Sequence, residues 1–478
     1  MKNRMIRKWF IPLLALLIIV NISLAGAENS SGLQRAPFNS EFLESLTKLQ
    51  MLTEDASNQN TTGYRPSPIS LKHLTTETSL LRDNILSLAT SYDLRSLGRV
   101  TSVKDQGSAG SCWTFGTYGS LESNILTSES VTWDFSENNL KNTHGFDLAH
   151  DEGGNAFMSA AYLARWSGPV TESADPYNDS SGVSPSGLTT VKHIQNVTFL
   201  PVRTSSTDNT AIKQAIVSYG AVYVAMYYGS SYYNSTNHAY YYSGSSSANH
   251  AITVVGWDDN YSSSNFSSTP SGNGAFIVKN SWGTSWGENG YFYVSYYDNV
   301  FGYSENALFV TPAAATNYAN IYQYDPLGWV SSVGYSSTTG WFANIFTATG
   351  AQSLKAVSFY TASTSNTYQI KIYTGASSGP ISGTLAYTQT GTISNAGYVT
   401  VPLTTAVTLT SGQKFSVVVK LVTSGYNYPI PVEVPVSGYS SAATASSGQS
   451  YISSNGTSWT DLTKSYSKGN VCLKAFTN

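Results

Sequence analysis

The chain has 478 residues, which is long enough for two or three domains that each bury a core. Its formal net charge of −3 provides no electrostatic attraction for nucleic acid, and that class of partner is excluded. Charged residues make up 11% of the sequence, against about 25% in a typical soluble protein. Ser, Thr, Asn, Gly and 34 Tyr fill the polar positions instead, a composition that favours β-structure and an extracellular location.

The N-terminus has the pattern of a secretory signal peptide. Basic residues, among them Arg7 and Lys8, precede the apolar stretch 9–20, and Ala25-Gly26-Ala27 forms a small-residue cleavage site. We therefore predict a signal peptide at 1–27 and a secreted or cell-surface protein. The alternative is an uncleaved membrane anchor, but the stretch is shorter than the roughly 20 residues that a spanning helix needs. No later segment is apolar for long enough, so we expect no stable membrane span after signal removal.

Residues 28–90 are polar and uneven in pattern. Helix-like spacing of apolar residues occurs at 42–49 and again at 80–88. Between these runs, residues 58–68 are rich in Asn, Thr, Gly and Pro, which indicates a loop. The region is too small to hold much of a core of its own.

Residues 91–312 have an α+β pattern. Helices are predicted from Cys112 through Ile125, at 156–166 before a Ser-Gly-Pro stop signal, and at 210–218. Runs rich in Val, Ile, Tyr and Phe predict strands, and the polar stretch 261–274 is expected to be a loop between two of them. The predicted strands are 221–226, 250–257, 275–280 and 291–297.

A compositional break at 313–316 precedes a region of a different kind. Short strand-like runs alternate with turns of Gly, Ser and Thr, and no helix is indicated. This pattern predicts an all-β sandwich over 316–478. The predicted strands are 354–361, 367–373, 398–403, 414–421, 431–436 and 471–476.

Three residues in the α+β region have the chemistry of a thiol-dependent peptidase. Cys112 opens a predicted helix, and His250 and Asn280 follow it along the chain. A nucleophile, a base and a group that orients the base, in this order, form a Cys-His-Asn arrangement. The helix N-terminus and a cationic His250 both lower the pKa of a thiol, so we expect a thiolate–imidazolium pair.

The same region offers groups that assist this chemistry. The Gln106 side chain and the backbone N–H of Cys112 are candidate donors to an oxyanion, because glycines in the intervening turn let the chain curl back. Trp282 is expected to cover the bond between His250 and Asn280 from water.

These motifs resemble those of the papain family of cysteine proteases. The resemblance rests on Gln106-Gly107 before Cys112, on His250-Ala251, and on the Asn-Ser-Trp-Gly run that begins at Asn280. It implies an α+β papain-like catalytic domain of two lobes at 91–312, one helical and one β-barrel-like. It also implies that Gly153 and Gly154 bind the substrate backbone.

The resemblance extends to the flanking regions. Residues 28–90 resemble a propeptide, which would lie across the active-site cleft until it is removed. Residues 316–478 resemble the lectin-like β-sandwich attached to some prokaryotic papain-like proteases. The sequence departs from the family at Ala109, where a disulfide-bonded cysteine is usual. Cys472 then has no partner, and we expect it to be a buried core residue.

The function predicted from the sequence is that of a secreted cysteine endopeptidase that acts on polypeptide substrates. No cofactor is expected, and no metal, because the histidines lack ligand spacing. The alternative is a surface adhesion or glycan-binding protein that uses the protease domain as a scaffold. A transpeptidase with the same residues is a further alternative. Trp329, Trp341 and Trp459 are either core residues or contacts for a glycan or cell-surface ligand of the C-terminal domain.

Overall fold

The computed structural model describes residues 32–51, 62–74 and 88–478. The predicted signal peptide lies outside these residues, as does the helix-like pattern at 80–88 except for Leu88. Within the described ranges, no helix is long and apolar enough to cross a bilayer.

The N-terminal region packs against both halves of the rest of the chain. It contributes strand β1 (Gln34–Arg35) and helix α1 (Ser40–Met51), the latter close to the predicted helical run. The region was expected to hold little core of its own. It instead inserts its apolar side chains into the common core of the molecule. Those buried side chains are Leu33, Phe42, Tyr64, Ile69, Leu71 and Leu74.

The helical lobe is built around α2 (Cys112–Glu129), with α3 (Glu137–Thr143), α4 (Ala156–Ala164) and α5 (Thr210–Tyr219). Three of these helices confirm the sequence predictions, and α3 was not predicted. Helix α2 is buried through Ile125 because it lies against the sheet. Its Gly116 permits this close approach, since a Cβ there would lie 2.8 Å from the ring of Tyr223.

The β-lobe is one mostly antiparallel sheet in which β7 is central, and β6 pairs with β9 in parallel. All four predicted strands are present, and β2, β3, β5, β6 and β10 were not predicted. The sheet order is β3-β10-β4-β7-β8-β9-β6-β5, with β2 paired to β7. Its strands are β2 (Ser91–Asp93), β3 (Lys192–Phe199), β4 (Val222–Met226), β5 (Tyr233–Asn234), β6 (Ala239–Tyr240), β7 (His250–Asp258), β8 (Ala275–Lys279), β9 (Tyr291–Ser295) and β10 (Asn306–Ala314).

The C-terminal region is the all-β sandwich that the sequence predicts. One face is the sheet β16-β15-β18-β13-β20-β21, and β11-β23-β14-β17 lies opposite. A small sheet of order β1-β12-β19-β22 adds the N-terminal strand to this domain. The predicted strand at 471–476 is interrupted at Cys472, which is buried and not disulfide-bonded. The strands are β11 (Asn320–Tyr322), β12 (Ser331–Gly334), β13 (Thr339–Thr347), β14 (Gln352–Thr361), β15 (Asn366–Thr374), β16 (Thr384–Ile393), β17 (Ala396–Leu409), β18 (Lys414–Thr423), β19 (Ile430–Glu433), β20 (Ser450–Ser453), β21 (Thr460–Asp461), β22 (Asn470–Val471) and β23 (Leu473–Thr477).

The α+β region and the sandwich share one continuous sheet. Strand β17 of the sandwich pairs with β3 of the α+β region, from Ala396 opposite Phe199 to Val399 opposite Asn196. Trp329 supports this junction, because its buried ring packs 5.5 Å from Phe157 on α4. Trp329 is therefore a core residue between the two regions. The α+β region and the sandwich are therefore joined by main-chain pairing and by packed side chains.

Candidate active site

Cys112 lies at the N-terminus of α2 and is completely buried. The backbone N–H of Ala251, the residue after His250, donates to its Sγ at 3.4 Å. The backbone of Gly63, from the N-terminal region, also lies near this sulfur and lowers the pKa of the thiol. The thiol therefore meets both the strand that carries His250 and a segment that lies over the cleft.

His250 and Asn280 are neighbours because β7 begins at the histidine and β8 ends one residue before the asparagine. The two side chains are joined by a hydrogen bond of 2.9 Å between His250 Nε2 and Asn280 Oδ1. Because the amide oxygen accepts, this bond assigns the proton to Nε2. His250 Nδ1 is buried and has no hydrogen-bond partner among the described residues. This nitrogen remains the one that can take a proton from a thiol.

Trp282, which was expected to cover the bond between His250 and Asn280, lies against the histidine ring. Its ring stacks on the His250 imidazole with centroids 4.8 Å apart and planes 19° from parallel. Further aromatic rings, which were not predicted, surround Trp282. Tyr228 lies 4.7 Å and Trp286 4.9 Å from it, both edge-on. The cluster keeps water from the bond between His250 and Asn280.

The expected thiolate–imidazolium pair stays a prediction for an uncovered site, because burial opposes both charges in this arrangement of the chain. Burial raises the pKa of the Cys112 thiol to about 12, although the backbone groups of Ala251 and Gly63 act in the opposite direction. Burial also lowers the pKa of His250 to about 4, against a smaller opposing effect of Asn280. Burial therefore favours the neutral form of both groups. The physical reason is that the N-terminal segment covers the site and excludes the water that would solvate two charges.

Gln106 lies in the loop before α2 and is fixed from two sides. Its Nε2 donates to the Ala109 carbonyl at 2.9 Å, and its Oε1 accepts from the Ser281 hydroxyl at 2.7 Å. The backbone N–H of Gln106 donates to the Ser281 carbonyl at 2.8 Å. Ser281 thus positions Gln106, a role that sequence reasoning missed although Ser281 stands between two predicted site residues.

Gly153 and Gly154 border the cleft where the resemblance implies that substrate binds. Gly154 donates its N–H to the Gly63 carbonyl and accepts from the Arg65 N–H, each at 2.9 Å. Gly153 has a φ of +99°, and a Cβ there would lie 2.5 Å from the Gly63 carbonyl oxygen. The backbone of the N-terminal segment therefore occupies this strip, and only glycine permits so close an approach.

Two sequence profiles match the chain. The papain family cysteine protease profile matches residues 88–311, and the Lectin like domain profile matches residues 321–477. Cysteine proteinase COT44 of Brassica napus is 31% identical over 273 residues, which is 53% of this chain and 74% of that relative. The chain belongs to the papain family of cysteine proteases. Pro-cathepsin H of Mus musculus is 30% identical over 237 residues, which is 46% of this papain-family chain. The chain spans 65% of pro-cathepsin H and 64% of cysteine proteinase 1 of Dictyostelium discoideum, just under two thirds of each.

Solved structures extend the similarity to the whole architecture. The cysteine protease and lectin-like domains of Cwp84, a surface layer associated protein of Clostridium difficile, match with a TM-score of 0.78 and 27% identity. The match covers 94% of this papain-family chain and 98% of that structure. A structure of clostridial Cwp84 after propeptide cleavage matches with a TM-score of 0.72 and 28% identity, covering 82% of this chain and all of that one. The sandwich is therefore a lectin-like domain attached to a papain-like catalytic domain.

Proposed function

We propose that the chain is a secreted or cell-surface cysteine endopeptidase, made as an inactive precursor, with Cys112 as nucleophile and His250 as base. The observation that carries the proposal is the orientation of His250. Its Nε2 is bound to Asn280, while Nδ1 is unpartnered among the described residues and the next N–H along β7 contacts the Cys112 sulfur. Similarity to the surface layer associated Cwp84 supports the extracellular location.

Each step of peptide hydrolysis has a group in this site. Cys112 Sγ attacks the carbonyl carbon, its proton passes to His250 Nδ1, and the carbonyl oxygen becomes an oxyanion. The Gln106 amide and the Cys112 N–H stabilise that oxyanion. His250 then gives the proton to the leaving amine as the C–N bond breaks, and water hydrolyses the thioester with His250 as base.

The N-terminal region acts as the inhibitory propeptide in this proposal. Thr62–Leu74 crosses the cleft, with Gly63 at the sulfur and Tyr64 donating its N–H to the Asn249 carbonyl at 3.0 Å. A substrate peptide cannot bind the same backbone groups at the same time. We assign the propeptide to 28–90, the catalytic domain to 91–312 and the lectin-like domain, with a glycan or cell-surface ligand, to 316–478.

Covalent labelling tests the proposal against an adhesion protein with an inert protease scaffold. After removal of the propeptide, a thiol-directed epoxide at mildly acidic pH is expected to label Cys112 rapidly and to abolish peptide hydrolysis. Cys472 is an internal control, because burial keeps its thiol protonated and inaccessible. Mass spectrometry locates the adduct. No label at Cys112, or equal label at both thiols, would contradict the assignment.

Gln106→Ala is expected to lower kcat by about 10²–10³-fold, as the loss of one oxyanion donor does. KM should change little because the group acts on the transition state. Alkylation of Cys112 by iodoacetamide needs no oxyanion donor, so its rate should be retained. Gln195→Ala, which removes a half-buried glutamine on β3, is the matched control and should leave kcat unchanged. Parallel losses of kcat and alkylation rate would indicate a structural role for Gln106 instead.

A further inference from the structure

The lectin-like domain presents a strand edge that the N-terminal region covers. Strand β12 pairs with β19 on one side and with β1 on the other. Strand β1 is two residues long and runs antiparallel to residues 333–334 of β12. The pairing continues for one more residue, because the Ala36 N–H donates to the Ser332 carbonyl at 2.9 Å. Residues 34–36 therefore bind as an extended peptide added to the edge of a sheet.

The sequence of β12 does not protect this edge. Edges that face water usually carry a charge, a proline or a bulge, which prevents pairing with another chain. Strand β12 reads Ser-Ser-Val-Gly, and all four residues are buried. On its other side, Pro431 of β19 lies opposite Ser332, and proline has no N–H to donate. The Ser332 carbonyl takes its donor from the N-terminal region, and removal of the propeptide leaves an edge that is ready to pair.

A groove lies beside this edge, and two tyrosines of the lectin-like domain line it. The Tyr426 ring stacks on His73 of the N-terminal region, with centroids 4.2 Å apart and planes 17° from parallel. Tyr428 lies edge-on to Tyr426 at 5.6 Å. We call the edge of β12 with these two tyrosines the β12 groove. The N-terminal region does not fill it, because a cavity of about 210 Å³ remains between the two. Its lining includes Ala36, Phe38, His73, Ser332, Tyr426 and Tyr428.

The segment in the β12 groove shows which side chains the groove accepts. Leu33 and Ala36 are buried, whereas Gln34 between them is exposed and accepts the Ser336 hydroxyl at 3.0 Å. Pro37 follows, and it ends the pairing because it has no N–H. The groove therefore suits an extended segment that has an apolar residue and, three positions later, a small residue before proline.

We propose that the β12 groove is a second substrate-binding site: after propeptide removal, it binds an extended segment of a polypeptide substrate at a distance from the bond that is cut. This inference rests on the proposed peptidase function, because loss of the propeptide opens the groove and the substrate takes its place. Main-chain donors and acceptors along a strand edge recognise a peptide backbone. The site is therefore separate from any glycan ligand of the same domain.

A polypeptide substrate fits the β12 groove better than a second copy of this chain does. Pairing of two β12 edges would use four residues from each copy, since the strand spans Ser331–Gly334. A stable interface takes about 20–30 residues from each partner. A flexible, extended segment needs only the edge itself, as β1 demonstrates with two paired residues.

The test uses a fluorescent heptapeptide with the sequence of residues 33–39, LQRAPFN. The protein is the full chain after propeptide removal, with Cys112 blocked by the epoxide so that the peptide is not cut. Fluorescence anisotropy should show saturable binding at one site per chain. Uncleaved protein should bind at least about tenfold more weakly, because its own β1 holds the edge at a high effective concentration. Equal binding to both forms, or none to either, would overturn the proposal.

Two methylated peptides test the strand pairing itself. N-methylation at the position of Ala36 removes the N–H that meets the Ser332 carbonyl, so affinity should fall by about threefold to tenfold. N-methylation at the position of Arg35 is the matched control. Successive N–H groups of an antiparallel strand point to opposite sides, so this one points away from β12 and affinity should be retained. Equal affinities of the two methylated peptides would contradict pairing with β12.

Hydrolysis assays separate the β12 groove from the catalytic cleft. The unlabelled heptapeptide should leave kcat/KM for a short fluorogenic peptide unchanged, because that substrate occupies the cleft alone. Inhibition of this reaction would place the heptapeptide in the cleft and overturn the proposal.

A tethered substrate tests the use of the β12 groove in catalysis. The fluorogenic peptide is joined to LQRAPFN by flexible Gly/Ser linkers of about 20 or 40 residues, whose mean reach is roughly 25–35 Å. With at least one linker, KM should be about tenfold lower than with a scrambled segment, while kcat is retained. Equal KM values for both segments at both lengths would mean that the groove does not assist substrate binding.

Failure of this inference is distinguishable from failure of the proposed function. If the wild-type chain hydrolyses no peptide and Cys112 takes no epoxide label, the proposed function fails and this inference fails with it. If hydrolysis and labelling are normal but the heptapeptide does not bind, only the second site is overturned. The same holds if sedimentation shows that the propeptide-free chain fills the edge by dimerising or by retaining the cleaved propeptide.

Discussion

Cys112→Ala is expected to lower kcat/KM for peptide hydrolysis by about 10⁴–10⁶-fold, the loss that follows removal of a catalytic nucleophile. The only other cysteine in the sequence lies in the lectin-like domain and is buried, so no second thiol can replace it. Only one sulfur atom is removed from the start of α2, and circular dichroism should report an unchanged fold. Steady-state hydrolysis of a fluorogenic peptide by propeptide-free protein measures the effect.

Two further variants make this expectation sharper. His250→Ala should cost about as much as Cys112→Ala, and the double variant no more than either alone, because the two residues act as one unit. Cys472→Ala is the matched control: it should keep full activity while losing about 1–2 kcal/mol of stability, as is usual for a buried substitution. Full activity in Cys112→Ala would refute the proposed mechanism.

The proposed catalytic residues could be predicted because each stands in a local pattern. Cys112 begins an apolar helix, His250 begins a run of buried residues, and Asn280 follows another. Antiparallel pairing of β7 with β8 brings the last two together. Helix α3 was missed for the opposite reason. Its sequence, ENNLKNT, has one large apolar residue, and the helix is defined by the Ser136 cap, whose side chain accepts the Asn139 N–H.

Long-range features could not be predicted from a local pattern. Tyr439 meets Asn155 across 284 positions of sequence, and nothing around either residue indicates the other. The pairing of β17 with β3 likewise joins segments of two domains whose individual patterns do not specify it. The burial that opposes charges on Cys112 and His250 comes partly from a segment outside the predicted catalytic domain. Motif chemistry predicts the charges of an open site, and the burial that opposes those charges in the covered site comes from a distant segment of the chain.

Gly63→Ala is expected to release the active site in the uncleaved chain. A Cβ on Gly63 would overlap the carbonyl oxygen of Gly110, in the loop just before Cys112. That oxygen belongs to the backbone of the cleft wall and has little freedom to move, so the propeptide segment must shift instead. Overpacking of this kind costs about 1–3 kcal/mol, which would weaken propeptide binding by about tenfold to 100-fold.

The rate at which iodoacetamide alkylates Cys112 in uncleaved protein measures this release, and its pH dependence gives a second signature. In the covered site the pKa of the thiol is about 12 and that of His250 about 4, so between these values both groups are neutral. The wild-type rate should therefore be low at mildly acidic pH and rise as the pH increases toward 12. Once the segment is displaced, water and the His250 cation stabilise a thiolate, and alkylation of Gly63→Ala should already be fast at mildly acidic pH.

Thr47→Ala, which changes an exposed position on α1, is the matched control and should behave as the wild type does. Equal, fast alkylation of both proteins at mildly acidic pH would mean that the propeptide does not bury the thiol, and equal, slow alkylation at every pH would mean that Gly63→Ala does not displace the segment.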